Sequence, residues 1–350
     1  FKKMLLSCAI FALYSAVGVI SYNVSLGELP KDISQQVQDM VRNPDLKLPV
    51  NCKRRLKPQL HFHLYNREHL TTPIELNVSD AKELADGKDI KILIHGWLSS
   101  SKDQQMHELK DAYLQQYDCN VILIDWSKSA KQLYHLSYCH ASNIAQFTSK
   151  VLCHWHEKIN LDLNKIHIVG HSMGAHIAGL LSQEVKPKCR AEVGRITGLD
   201  PSRALFSSPG KDLMLSKSNA KMVDIIHTDN EVFGILNNHG DLDFYPNCGQ
   251  RQPGCELESP ITGDTLLSEV MCSHIRSLEY MVESIRHGNA IAASCLMCPR
   301  LCRPDYGNDR YMPMGEKAVL KTQSRKSKAF TLSTYSTPPY FKVWQPYADV

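Results

Sequence analysis

A serine between two glycines is the strongest chemical signal in the sequence. Ser172 lies in the segment Gly170-His-Ser-Met-Gly174, which fits the pattern G-x-S-x-G. An apolar run at 166–169 precedes this segment, and a helix-favouring run at 175–181 follows it. A serine on a sharp turn from strand to helix needs small neighbours, and the helix N-terminus behind it favours developing negative charge. The spacing predicts that Ser172 is a nucleophile; the alternative is a serine that only caps a helix.

A nucleophilic serine needs a base and an acid that orients the base. With a serine on such a turn, the acid and then the histidine follow it along the chain. Asp200 comes directly after an apolar run at 195–199, so we predict that it is the acid; the alternative is a turn-forming Asp-Pro pair. His274 lies downstream, at the start of a predicted helix, and is the predicted base. His227, at the end of another apolar run, is the alternative base.

An oxyanion produced by attack on an ester needs two backbone N–H donors. The N–H of Met173, directly after the nucleophile, is one predicted donor. The second is predicted to come from Trp97, in the loop Ile94-His-Gly-Trp97, where Gly96 allows the backbone to approach closely. We interpret His95 in this loop as structural rather than catalytic.

The elements that position these residues alternate along the chain. Short apolar runs separated by amphipathic segments predict a mostly parallel sheet covered by helices. Strands are predicted at 60–65, 90–94, 121–126, 166–169, 195–199 and 222–226, and helices at roughly 102–117, 140–158, 173–184 and 272–288. The remaining 350 − 288 = 62 residues leave little room for a second domain, so a single domain over 51–350 is expected.

The first residues predict secretion. A short basic start, Phe1-Lys-Lys3, is followed by an apolar run to Ile20, which is typical of a signal peptide over residues 1–21. Residues 22–50 are polar and are predicted to form a leader or an N-terminal arm. The sequon Asn77-Val-Ser79 is the preferred glycosylation site. The expected location is therefore extracellular.

Twelve cysteines agree with an oxidising compartment. Cys8 lies in the predicted signal peptide, and the remaining odd number requires at least one cysteine without an intramolecular partner. Cys139 and Cys153 flank a predicted helix that spans about 21 Å, too far for these two to pair. The cluster at 295–302 predicts structural disulfides rather than a metal or redox site.

A second motif with metal-ligating residue types is His61-x-His63, in the first predicted strand. Two histidines at this spacing can bind a metal, but such a pair more often simply shares one face of a strand. The net charge of +4 is mild and gives no support for nucleic-acid binding. No cofactor is expected. The protein is expected to be a monomer that contacts membrane surfaces peripherally.

Taken together, these segments resemble the pancreatic-lipase family. The matching pieces, in family order, are His95-Gly-Trp97, Gly170-His-Ser-Met-Gly-Ala175, Gly194-Arg-Ile-Thr-Gly-Leu-Asp-Pro201, Asp224-Ile-Ile-His-Thr-Asp229, Asp243-Phe-Tyr-Pro-Asn247, Gln252-Pro-Gly-Cys255 and Cys272-Ser-His-Ile-Arg-Ser277. The resemblance implies an α/β-hydrolase fold and a triad of Ser172, Asp200 and His274. It also implies hydrolysis of lipid esters.

The resemblance further implies a lid over residues 255–272, closed by a disulfide between Cys255 and Cys272. This lid and the loop between Asp229 and Gly240 are shorter than in digestive triacylglycerol lipases, which resembles the secreted phospholipase A1 branch, including insect venom enzymes. A short lid leaves room for polar headgroups, so the expected reaction is cleavage of the sn-1 acyl ester of phospholipids. The alternatives are a triacylglycerol or general lipase and a non-catalytic lipid-binding protein like insect yolk proteins.

Two departures from the family pattern carry further expectations. Where the family often binds calcium, the stretch from Lys211 to Asn219 largely lacks acidic ligands, so no metal is expected there. The C-terminal β-sandwich of digestive lipases, which binds a protein cofactor, has no counterpart in the sequence. This argues against a cofactor-dependent triacylglycerol lipase.

Overall fold

The computed structural model describes residues 29–46, 48, 50, 52, 58–207, 213–256, 263–305, 311–320 and 326–342. The predicted signal peptide at 1–21 and Lys211 of the calcium-site stretch lie outside these residues. In the part of the chain that is described, no helix combines the length and the apolar character needed to cross a membrane.

One mixed sheet forms the centre of the molecule. Its strands, in chain order, are β1 (His61–Tyr65), β2 (Ile74–Glu75), β3 (Asp89–Ile94), β4 (Cys119–Asp125), β5 (Ile166–His171), β6 (Arg195–Leu199), β7 (Met222–Ile226), β8 (Leu242–Pro246), β9 (Ile291–Met297), β10 (Leu301–Asp305), β11 (Tyr311–Pro313) and β12 (Lys328–Leu332). Their order across the sheet is β10-β9-β12-β8-β7-β6-β5-β3-β4-β1-β2, and β11 pairs with β9. The strands from β4 to β12 in this order are parallel, whereas β1, β2, β9, β10 and β11 pair antiparallel at the two edges. The predicted mostly parallel sheet is confirmed.

Helices cover both faces of this sheet. They are α1 (Lys31–Arg42), α2 (Gln104–Gln116), α3 (Ser127–Ala130), α4 (Tyr134–Ile159), α5 (Met173–Cys189) and α6 (Gly263–His287), with 3₁₀ turns at Lys82–Leu84, Leu163–Lys165, Asn247–Gly249 and Gly315–Lys317. Helix-covered parallel strands bury both faces, so their sequences are continuously apolar rather than alternating. All seven residues of β4 are buried, which agrees with this rule.

The alternation of side chains along the central strands divides the interior into two cores. Ile92 and Ile94 of β3 belong to the core beneath α1, α4 and α5, whereas Leu93 between them belongs to the core beneath α2 and α6. Successive residues of a strand point to opposite faces, so one apolar run supplies both cores. Each central strand is therefore held between two layers of helices, and the ends of these strands carry the candidate site.

The structure corrects several predicted helix boundaries. Helix α4 begins at Tyr134 instead of residue 140, and α5 continues to Cys189 instead of residue 184. Helix α6 begins at Gly263 instead of residue 272, so His274 lies inside this helix and does not open it. The apolar periodicity that marked these helices reports only the residues that face the core. A helix continues beyond them through any residues that tolerate helical geometry.

Five disulfides connect the described residues. The pairs are Cys52–Cys139, Cys153–Cys189, Cys248–Cys302, Cys255–Cys272 and Cys295–Cys298. The prediction that Cys139 and Cys153 do not pair with each other is confirmed, as is the structural use of the cluster at 295–302. Cys119 is a free, buried thiol, and burial raises its pKa to about 11. A thiol that keeps its proton is a poor nucleophile, so Cys119 is a packing residue.

Candidate active site

Ser172 occupies the turn between β5 and α5, with φ of 56° and ψ of −122°. A Cβ at Gly170 would lie 2.4 Å from the carbonyl oxygen of Gly174, and a Cβ at Gly174 would lie 2.3 Å from the carbonyl oxygen of Ile94. Real Cβ atoms do not approach backbone so closely. The two glycines are therefore a steric requirement of the turn that presents Ser172 at the carboxyl end of the sheet.

His274 and Asp200 meet at the same end of the sheet, although 74 positions separate them in sequence. The ring Nδ1 of His274 lies 2.6 Å from Oδ2 of Asp200, and both side chains are buried. If the Nδ1–H donates to this carboxylate, the other ring nitrogen, Nε2, keeps a lone pair. This arrangement suits a base, and it includes the acid and the histidine that the sequence predicted.

The carboxylate of Asp200 is fixed by backbone donors. Its Oδ1 accepts hydrogen bonds from the backbone N–H of Thr228, at 2.8 Å, and of Asp229, at 3.1 Å. Burial and the neighbouring Asp200 raise the pKa of Asp229 well above its usual value. The protonated form of Asp229 is thereby favoured, whereas Asp200 is the carboxyl that contacts His274.

Two rings pack against His274. The His171 ring centroid lies 4.6 Å from that of His274, and the Phe233 ring centroid lies 5.5 Å away. Burial, and then the charge of His274, lower the pKa of His171 well below its usual value. His171 therefore stays neutral and does not repel a positive charge on His274.

The loop with Gly96 and Trp97 passes directly beside Ser172. A Cβ on Gly96 would lie 2.9 Å from Cβ of Ser172, so only glycine fits there without displacement. The Trp97 indole N–H donates to the carbonyl of Gln132, at 2.7 Å, which anchors this loop. The backbone of Met173 starts α5 on the other side of the serine. The structure thus brings both predicted oxyanion donors, at Trp97 and Met173, next to the predicted nucleophile.

His95 anchors this loop to the residues that follow β4. Its ring stacks on Trp126 at 5.2 Å, its Nδ1 lies 2.9 Å from the Gly96 carbonyl, and its Nε2 accepts the backbone N–H of Trp126. Burial lowers the pKa of His95 to about 4. A neutral ring with both nitrogens in hydrogen bonds has a structural role, which agrees with the interpretation of His95 from its position in the loop.

The alternative base, His227, is elsewhere. Its Nε2 lies 2.9 Å from the carboxylate of Asp243, and its ring stacks on Tyr245 at 4.3 Å. His227 is fully buried and does not line the cavity that contains Ser172. The geometry favours His274 over His227.

Ser172 and His274 open into one cavity of about 260 Å³. The walls of this cavity are largely apolar and include Leu29, Val37, Met40, Trp97, Met106, Phe233, Met271 and Ile275. The contribution of α1 was not predicted, because residues 22–50 read as polar. The apolar positions Ile33, Val37, Met40 and Val41 have helical spacing, and this signal could have identified the helix.

The remaining predicted site residues lie at the edges of this region. Cys255 and Cys272 form a disulfide, and of the predicted lid between them residues 257–262 fall outside the described part. Asn77 is exposed, and its side-chain oxygen accepts hydrogen bonds from Ser79. In the stretch predicted to lack calcium, the side-chain oxygen of Asn219 accepts the backbone N–H of Ser216.

Relatives of this chain carry names from more than one kind of lipase. It is 36% identical to the probable phospholipase A1 magnifin of Vespa magnifica over 208 residues, which cover 56% of this chain and 58% of magnifin. It is 30% identical to the pancreatic triacylglycerol lipase of Myocastor coypus over 219 residues, covering 59% of this chain and 47% of that lipase. It is 28% identical to the inactive pancreatic lipase-related protein 1 of Mus musculus over 282 residues, covering 72% and 59% of the two chains. The chain thus spans less than two thirds of the length of each.

The family comparison covers most of the chain. The family model described as Lipase matches residues 34–336 and so includes most of α1, the Ser172 turn and His274. With the serine on its strand-to-helix turn and the histidine–aspartate pair beside it, this match shows that the chain belongs to the lipase family.

Proposed function

We propose that the protein is a secreted serine ester hydrolase that cleaves the sn-1 acyl ester of phospholipids. The observation that carries the proposal is the His274–Asp200 hydrogen bond, of 2.6 Å, at the cavity that Ser172 also lines. An apolar cavity suits an acyl chain, and a serine with an oriented histidine suits acyl transfer.

In the proposed reaction, His274 Nε2 takes the proton of the Ser172 hydroxyl as its oxygen attacks the ester carbonyl. Asp200 holds the ring and stabilises its positive charge. The backbone N–H groups of Met173 and Trp97 stabilise the oxyanion. His274 then gives the proton to the departing lysophospholipid oxygen, and a water molecule, activated in the same way, releases the fatty acid from Ser172.

Two features support the choice of a phospholipid. The Cys255–Cys272 disulfide closes a loop of only 16 residues, 256–271, and a short loop beside the cavity leaves room for a polar headgroup. Magnifin, at 36% identity, is named as a probable phospholipase A1.

Five disulfides support an extracellular location. In this proposal the protein is a monomer that is glycosylated at Asn77 and binds its substrate at a lipid interface. It has no nucleic-acid partner.

A triacylglycerol lipase is the second candidate. The largely apolar cavity wall and the likeness to a pancreatic triacylglycerol lipase favour it. A non-catalytic lipid-binding protein is the third, since one relative is named inactive. The presence of serine, histidine and aspartate in one place weighs against this third candidate.

The test is hydrolysis by the purified protein, with a chelator present. The substrates are phosphatidylcholine labelled at each acyl position and, in parallel, a triacylglycerol. We expect release of the sn-1 chain from phosphatidylcholine. Release of fatty acid from the triacylglycerol alone would overturn the phospholipid proposal, but the proposal that the protein hydrolyses esters would stand.

The control for that assay is Ser172→Ala, verified as folded by circular dichroism. We expect this variant to lose turnover by at least about 10⁴-fold. Equal hydrolysis by the wild type and the variant would refute a role for Ser172, and no hydrolysis by the wild type would favour the lipid-binding candidate.

A further inference from the structure

Two histidines and a glutamate meet at the edge of the sheet farthest from the C-terminal strands. His61 and His63 lie on the same face of β1, while Phe62 and Leu64 between and beside them are buried on the other. β2 pairs antiparallel with β1, with Glu75 opposite His63. The pairing of the two strands therefore places the Glu75 carboxylate beside the motif His61-x-His63, although β2 begins 11 residues after His63.

The three side chains already converge. Nδ1 of His61 lies 3.0 Å from Oε1 of Glu75, and Nε2 of His63 lies 3.0 Å from its Oε2. One ligand atom from each of the three residues lies within 4.8 Å of the others. Tetrahedral zinc, with bonds of about 2.0–2.1 Å, places its ligand atoms roughly 3.3 Å apart. Only small side-chain adjustments separate this cluster from a coordination site.

A hydrogen bond at the other ring nitrogen, Nδ1, also orients the ring of His63. Its Nδ1 lies 3.2 Å from the hydroxyl oxygen of Ser101, and that hydroxyl donates its own proton to Asp125 at 2.6 Å. Ser101 can therefore only accept from His63, so Nδ1 carries a hydrogen, and Nε2 is the ring nitrogen that faces Glu75. A metal would take the place of the hydrogen between Nε2 and the carboxylate. A hydrogen-bonded partner on the non-ligating nitrogen is the usual arrangement behind metal-binding histidines.

Without a metal, each histidine can donate to a different oxygen of Glu75. A metal would replace both of these hydrogens and bind the same three side chains, while Ser101 still accepts from Nδ1 of His63. The exposed fractions are 56% for His61, 18% for His63 and 52% for Glu75, so solvent can supply further ligands. Two imidazoles and one carboxylate are a ligand set suited to zinc and neighbouring divalent transition metals.

We propose that His61, His63 and Glu75 form a binding site for a divalent transition metal, separate from the candidate active site. The metal links β1 to β2, a strand of only two residues, and so fastens the edge of the sheet. This site does not depend on the proposed ester hydrolysis.

The experiment titrates Zn²⁺ into the full chain, stripped with a chelator and dialysed, by isothermal titration calorimetry. We expect one zinc ion per chain in the wild type, and at least about tenfold weaker binding in His63→Ala and in Glu75→Gln. His287→Ala is the matched control, because His287 is an exposed histidine outside this cluster, and it should bind like the wild type. The cysteines at 295, 298 and 302 are in disulfides and offer no competing thiolate site.

A second readout is the melting temperature with and without Zn²⁺. Zinc should raise it in the wild type and in His287→Ala, and should raise it less in Glu75→Gln at the same zinc concentration. No zinc binding by the wild type, or equal binding by the wild type, His63→Ala and Glu75→Gln, would overturn the proposal.

Discussion

At the scale of single residues, two buried carboxyls side by side have different tasks. Asp200 faces the ring of His274 and accepts two backbone N–H groups, which stabilise its charge. Asp229 has a raised pKa because it is buried and lies beside Asp200, and the backbone N–H of Phe233, which donates to its Oδ2, does not offset this effect. Only one of these two positions therefore needs a negative charge.

Asp200→Asn and Asp229→Asn form a matched pair that tests this difference. Asp200→Asn removes the charge that stabilises a protonated His274, so we expect kcat for ester hydrolysis to fall by about 10³- to 10⁴-fold. Asp229→Asn replaces a group that favours its neutral form with a neutral amide, so kcat should change by less than about tenfold. The measurement is steady-state hydrolysis of a soluble ester. The assignment of the acid is wrong if the larger loss follows the substitution of Asp229.

At the scale of secondary structure, α1 is part of the cavity wall. Val37 and Met40 of α1 line the cavity that contains Ser172. Gln36 fastens the helix to the start of α4, because its side-chain oxygen accepts the backbone N–H of Tyr134 at 2.6 Å. Farther along the chain, Cys52 is bonded to Cys139 of α4. A helix that is anchored in this way limits the room for an acyl chain.

Met40→Trp tests that role of α1. A larger side chain at a buried wall position narrows the cavity, so kcat/KM for long acyl chains should fall by about tenfold while that for short chains is retained. The measurement is hydrolysis of a series of p-nitrophenyl esters from butyrate to palmitate. Gln35→Trp, on the exposed face of the same helix, is the control and should leave the series unchanged. A uniform loss across the series in Met40→Trp would instead indicate damage to the fold.

At the scale of the whole molecule, several buried histidines make folding sensitive to acid. Burial lowers the pKa of His95 to about 4 and of His176 to about 3, and lowers those of His167 and His171 well below the usual value. In the unfolded chain these rings take up protons near pH 6.5. Between that pH and their folded pKa values, the unfolded state binds more protons, so stability falls as the pH falls.

We therefore expect a lower free energy of unfolding at about pH 5 than at about pH 7.5, by on the order of 1–3 kcal/mol. The raised pKa of Asp229 acts in the opposite direction and reduces the net change. The measurement is urea denaturation with the disulfides intact. In His176→Gln, the amide can replace the ring as donor to the Ser202 carbonyl and acceptor from Leu215, so the dependence on pH should weaken. A stability that is unchanged or higher at the lower pH would contradict the prediction.

The sequence by itself determined the parts of this protein that depend on neighbours along the chain. The glycines around Ser172 predicted its turn, because a Cβ at either position meets backbone within a few residues or in the adjacent strand. The central strands β3 to β7 were predicted nearly to their ends, since burial on both faces leaves an apolar run that is visible without a structure. The strands β2 and β8 to β12 were missed because polar residues or prolines interrupt their apolar positions.

Only the tertiary structure decided which distant residues meet. It placed His274, and not His227, against Asp200, and it packed α1 over the cavity, although both histidines suit a base by residue type. It also brought Glu75 to the two histidines of β1, which the motif alone left as a pair on one face. Periodicity and turn chemistry act over a few residues, whereas these contacts between distant residues depend on how strands and helices pack across the whole sheet.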